Sequence, residues 1–222
     1  MNVYFISGLG ADERVFANLK LPAFCTPQYL RWIPFEKSET IPHYARRLAS
    51  GIDTSKPFVV IGLSLGGMIA SEMQSFLHPL KTILISSASS EKQLPFYFAL
   101  GRILPLHRWI PLRWQFKWRK AAYWFIGVQT EEDKRLFVAL LKVADPVFMK
   151  RATDAVLKWN KKEAPGNILQ IHGTSDKILP IKFLRPTHII KGGTHLMVFN
   201  RAEDVSIILE EVLTEVYTGH FS

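Results

Sequence analysis

Residues Phe58–Ala70 read FVVIGLSLGGMIA, an apolar run, a serine flanked by glycines two positions away on either side, and a second apolar run. PFVVIGL (57–63) has the near-continuous apolar content of a strand buried on both faces. LGGMIASEMQSFL follows it as a helix. The order strand, bend, helix leaves Ser64 on the bend. Such a bend tolerates only small neighbours, which accounts for Gly62 and Gly66, and Gly67 eases helix-to-strand packing. Ser64 is then either a turn residue or a nucleophile held up for attack.

A serine hydroxyl needs a base to take its proton and donors to hold the resulting oxyanion. The base is expected in a loop after a late strand. Of the seven histidines, His195 in GGTHLMVF fits best, because Gly192 and Gly193 mark a loop leaving a strand and entering a helix. His172 precedes Gly173 at a strand end and is expected to be structural, and His188 falls inside a strand. His43, His78, His107 and His220 fall on helices, connections or the tail. The orienting acid is expected after a strand and before that histidine. Asp176 in IHGTSDKILP satisfies both conditions, in a polar loop closed by Pro180. It would fix the imidazole tautomer and stabilise the imidazolium. Asp176 as a simple turn residue and His195 as a capping or surface residue are the alternatives.

Two backbone donors complete the arrangement. The Leu65 N–H opens the helix after Ser64, and the Leu9 N–H sits between Gly8 and Gly10 at the end of the first strand. Gly8-Leu9-Gly10 can also be only a turn. A dinucleotide loop is excluded, since GLGADE lacks the third glycine of that fingerprint.

Outward from this constellation, strands alternate with helices. The expected strands are NVYFIS (2–7), QYLRWIPF (28–35), PFVVIGL, KTILISSA (81–88), NILQIHGT (167–174) and PTHIIKG (186–192). ADERVFANLK, with Asp12 as cap, and TIPHYARRLASGI read as helices, and LMVFNRAEDVSIILEEVLTEVY as the closing helix. That pattern predicts an α/β protein with about six mostly parallel strands flanked by helices. Residues 91–164 break the alternation. Thr130 with its three following acids starts one helix there, and Asp145-Pro146 starts another. A crossover needs far fewer residues, so 91–164 are expected to form a helical cap, with 1–90 and 165–222 as the core domain.

The net charge of +9 is concentrated in that cap. Residues 91–164 hold 15 basic and 7 acidic groups, a balance of +8, against +2 for 1–90 and −1 for 165–222. Five of the six tryptophans lie there too: Trp109, Trp114, Trp118, Trp124 and Trp159. Interleaved Arg and Trp would suit an anionic head group, an anionic membrane surface, or simply a solvated face over a packed one. Without a recognised nucleic-acid motif, no nucleic-acid partner is expected. Cys25 stands alone, the start MNVYFISGLG lacks a basic n-region, and no apolar run is long enough to span a bilayer. A cytoplasmic location is the default expectation.

Taken in order, these residues resemble the α/β-hydrolase superfamily. Gly62-Leu63-Ser64-Leu65-Gly66 is similar to its nucleophile elbow, and His172 to Asp176 with Pro180 to its acid loop. Gly193-Thr194-His195 resembles the base loop, and Ser7-Gly8-Leu9-Gly10 the oxyanion loop. The chain order Ser, Asp, His is also the family's. The resemblance implies an α/β-hydrolase fold with the cap inserted between the fourth and fifth strands. It further implies a serine hydrolase that cleaves an ester or thioester through an acyl-enzyme, with no metal or cofactor. The substrate would be a small acyl compound, one with an anionic head included. A non-catalytic relative that binds a small ligand or partner would lack a triad member, and all three are present. Ser7 stands where the family often has histidine. The chain also starts at what resembles the family's third strand, so a trimmed sheet is expected.

Overall fold

The computed structural model describes residues 1–104, 119–163 and 166–221. Six strands form one sheet: β1 (Asn2–Ile6), β2 (Thr26–Leu30), β3 (Phe58–Leu63), β4 (Lys81–Ile85), β5 (Ile168–Gly173) and β6 (His188–Ile190). Their order is β2-β1-β3-β4-β5-β6, and every pairing is parallel. Alternation along β3 explains its unbroken apolar run. Phe58 and Val60 point into one core layer, and Val59, Ile61 and Leu63 into the other. Each face of the sheet is covered, so neither side of β3 tolerates a polar residue.

The first layer holds α1 (Ile41–Leu48) and α2 (Leu65–Met73). Ile41, Tyr44, Ala45 and Leu48 recur at helical spacing and are buried, and Thr40 caps the start by accepting from the His43 N–H. Every residue of α2 is buried, which accounts for its almost wholly apolar sequence. The second layer is built on α7 (Met197–Asn200) and α8 (Ala202–Phe221).

The helical insertion lies between β4 and β5. Its described helices are α3 (Phe96–Ile103), α4 (Arg119–Ile126), α5 (Glu131–Val143) and α6 (Pro146–Leu157). Phe148, Ala152, Ala155 and Val156 of α6 join the same core layer as α1 and α2. Just beyond α6, the buried Trp159 donates from Nε1 to Glu72 Oε1 of α2 at 2.6 Å, and Lys161 Nζ stands 3.4 Å from Glu72 Oε2. The Arg- and Trp-rich centre, including Trp109, Trp114 and Trp118, lies outside the described residues.

The Thr130 start is a full capping box. Its hydroxyl accepts from the Asp133 N–H, and the Asp133 carboxylate accepts from the Thr130 N–H. Asp145 caps α6 by accepting from the Val147 N–H, with Pro146 at the first position. Thr130→Ala should lower stability by about 1 kcal/mol, read by chemical denaturation.

The strands expected over 81–88 and 186–192 are shorter, Lys81–Ile85 and His188–Ile190, and three further elements depart from expectation. The second strand is Thr26–Leu30 rather than 28–35. It pairs only with β1, and the chain then leaves the sheet. Trp32 Nε1 donates to the Ala11 carbonyl, while Ile33 exchanges backbone hydrogen bonds with the Tyr44 hydroxyl. The expected helix at 11–20 contracts to a single 3-10 turn, Glu13–Phe16, capped by Asp12. The closing helix is broken at Arg201, where the Asn200 amide turns to the Gly127 carbonyl and Asp133.

Candidate active site

The bend after β3 carries backbone strain. Ser64 has φ 51° and ψ −116°, a positive φ that residues with a Cβ rarely adopt. Its N–H donates to the Ile85 carbonyl at 3.0 Å, and its own carbonyl accepts from Ser87 Oγ at 2.6 Å and from the Gly67 N–H. A Cβ on Gly62 would collide with the Gly66 carbonyl, and one on Gly66 with the carbonyl oxygens of Ile6 and Ser7. Both glycines are therefore required by close backbone approach.

Ser64, Asp176 and His195 come together from three loops. His195 Nε2 lies 2.9 Å from Ser64 Oγ, and His195 Nδ1 lies 2.8 Å from Asp176 Oδ2. The other Asp176 oxygen accepts from the Ile178 and Leu179 N–H groups, each at 2.9 Å. The Asp176 and His195 loops hold each other directly. The Ser175 N–H donates to the Gly193 carbonyl, and a Cβ on Gly173 would collide with that same carbonyl.

Burial pushes the Asp176 carboxyl up, but the charge and hydrogen bond of His195, with the Leu179 N–H and His172, hold it below the ordinary carboxylate value. The carboxylate therefore stays ionised against His195. His172 is fully buried and donates from Nε2 to the Leu179 carbonyl at 2.8 Å. Its Nδ1 has no partner among the described residues, so a second proton there would be unpaired. Burial pushes the His172 imidazole down, against the pull of Asp176. Unfolded chains bind that proton near the ordinary value of 6.5, and the folded protein binds it more weakly. Stability from this group is present above pH 6.5 and declines as the pH falls below it, by at most about 1.4 kcal/mol per pH unit. Urea titrations at pH 7.5 and 5.5 should show the loss, and His172→Gln, which retains a donor but does not titrate, should reduce it.

The Gly8–Gly10 loop lies beside Ser64; a Cβ on Gly8 would sit 3.4 Å from the Ser64 Cβ. Among the described residues neither the Leu9 nor the Leu65 N–H donates to a backbone group outside its own helix or strand. Ser7 has a use of its own. It is buried, and its hydroxyl donates to the Ala11 carbonyl at 2.9 Å, tying the loop closed.

Ser64 and His195 open onto a cavity of about 430 Å³. Its other walls include Gly8, Leu9, Gly10, Ala121, Ile126, Phe137, Leu140 and Met149. No charged side chain lines it among the described residues. The insertion is also fastened to the base loop. Thr194 Oγ1 donates to the Gly127 carbonyl at 3.2 Å, and the Leu196 N–H to the Ile126 carbonyl at 3.1 Å. Tyr97 of α3 donates to the Ile178 carbonyl at 2.6 Å, next to the acid. Sequence reading missed these ties; a glycine at position 127, whose φ proves positive, is the one local signal that could have marked a close approach. Elsewhere, Glu36, Glu39 and His43 cluster at the start of α1, but Glu39 is already occupied by Arg47 and His43.

A parallel sheet whose central strand ends in a strained serine, with a histidine and an acid on later loops, defines the α/β hydrolases. The alpha/beta hydrolase family model matches residues 4–206, and the chain belongs to that family. Solved structures agree on the fold. A lipase-esterase related protein from Clostridium acetobutylicum is 16% identical with a TM-score of 0.66, over 94% of this chain and 92% of that one. A thermophilic esterase from Thermogutta terrifontis is 16% identical with a TM-score of 0.65, over 97% and 90%. Rv0554 from Mycobacterium tuberculosis is 18% identical with a TM-score of 0.69, over 98% and 90%. No curated protein matches the sequence. No helix among the described residues is long and apolar enough to cross a membrane.

Proposed function

We propose that the protein is a serine hydrolase of small esters or thioesters, with Ser64, His195 and Asp176 as its catalytic triad. The observation that carries this reading is the unbroken hydrogen-bond chain from Asp176 through His195 to Ser64 Oγ at the mouth of an apolar cavity. Asp176 accepts from His195 Nδ1–H, which leaves Nε2 as the acceptor facing Ser64. Ser64 Oγ attacks the carbonyl carbon as its proton passes to His195 Nε2. The Leu9 and Leu65 N–H groups hold the oxyanion, each worth roughly 3–4 kcal/mol. His195 then returns the proton to the leaving alcohol or thiol, and water repeats the sequence on the acyl-enzyme.

The apolar walls favour a hydrocarbon acyl group. An anionic head group would be met by cations of the insertion, and Arg108, Arg113 and Lys117 lie outside the described residues. Contact with an anionic membrane surface is a second reading, favoured by the exposed Phe96, Leu100 and Ile103 of α3. The reading keeps the protein in the cytoplasm, where the free, buried Cys25 is at home.

A fluorophosphonate probe tests the assignment. The folded protein is expected to be labelled on Ser64, and Ser64→Ala to take no label. A folded wild-type protein that takes no label would overturn the hydrolase reading and favour a ligand-binding relative.

A further inference from the structure

Met149, a flexible side chain, lies on the wall of the Ser64 cavity. Beyond Met149 lies a second hollow of about 230 Å³, lined by Trp32, Ile33, Pro34, Ala144 and Phe148 among others. The two spaces share Gly10, Ala11 and Met149. Of these three, only Met149 has a side chain long enough to divide them. Its thioether rests against Gly10, where an added Cβ would come within 3.0 Å of Sδ and 3.1 Å of Cε. Gly10 has φ 72°, so the loop behind Met149 is held in a conformation that leaves no side chain in the way.

The chemistry of the hollow is one-sided. Trp32 is fixed by its Nε1–H bond to the Ala11 carbonyl at 2.7 Å, and its ring packs on Phe148 at 5.2 Å. Two carboxylates border the space, and both are committed. Asp12 is paired with Arg14 at 2.7 Å, and Asp145 caps the Val147 N–H at 2.9 Å. What is left to meet a ligand is mostly apolar surface, suited to methylenes rather than to a polar head. Methionine has three rotatable side-chain bonds and no branch, so it can turn aside without moving α6.

We propose that Met149 sets the acyl-chain length the site accepts: it closes the Ser64 cavity, and the hollow behind it receives the distal methylenes of a long saturated chain. The inference rests on the hydrolase reading of Ser64. Its test is the hydrolysis of p-nitrophenyl esters from acetyl to palmitoyl by the full chain and by Met149→Ala and Met149→Phe. The ratio of kcat/KM for long over short esters should rise about ten-fold in Met149→Ala and fall in Met149→Phe. An unchanged ratio in a folded variant overturns the proposal, and either substitution suffices for this if the other does not fold. Calorimetry separates this from a failure of the catalytic reading, because it needs no turnover. Saturated long-chain fatty acids should bind Ser64→Ala/Met149→Ala more tightly than Ser64→Ala. Equal affinities would overturn the proposal even where fluorophosphonate labels Ser64.

Discussion

Ser64→Ala is expected to reduce ester hydrolysis by roughly 10⁴- to 10⁶-fold, with kcat rather than KM carrying the loss. The substitution removes one oxygen atom, the one that bonds covalently to the acyl group in the proposed mechanism. His195 and Asp176 stay in place, held by the Leu179 and Ile178 N–H groups and by the mutual grip of the acid and base loops. The strained φ of 51° is the same for alanine as for serine, so thermal stability should change by less than about 1 kcal/mol. Steady-state kinetics with a scanning calorimetry control distinguish these effects. A folded Ser64→Ala protein with near wild-type turnover would remove Ser64 from the mechanism.

Gly66→Ala should act in the opposite way, on the fold first. A Cβ at this position meets the carbonyl oxygens of Ile6 and Ser7, which are backbone atoms at the end of β1. β1 is paired on both sides, to β2 and β3, and cannot yield without dragging the sheet. Overpacking against an immovable neighbour costs at least about 3 kcal/mol, a fall in Tm of roughly 6–12 °C for a domain of this size. Circular dichroism melting reads it directly. A variant with an unchanged Tm would mean that β1 and the start of α2 are less closely packed than described.

Legibility followed the range of the forces involved. The serine bend, the Asp176 loop and the His195 loop each carry a local signature, because glycines, caps and strand ends are set by neighbours in sequence. Their meeting within hydrogen-bond distance was foreseeable only from their order along the chain. Edge and end effects were harder to read. Trp32 looks like a strand residue until its indole N–H finds the Ala11 carbonyl, a contact between residues 21 apart. The break before Ala202 depends on Asn200 reaching Gly127 and Asp133, which no window of the sequence contains. Met149 reads as an ordinary apolar position of α6. Its placement between two spaces exists only once the insertion lies on the core.

The bonds from Gly127 and Ile126 to Thr194 and Leu196 bear on how this α/β-hydrolase architecture can be altered. The residues on either side of His195 lean on the joint between two helices of the insertion. A cap that merely roofed the pocket could be trimmed or exchanged while the chemistry beneath survived. Here the insertion also braces the loop that carries His195. Shortening it would cost the imidazole its bearing as well as the substrate its shelter, so selectivity is best redesigned by changing single wall residues and leaving the joint whole.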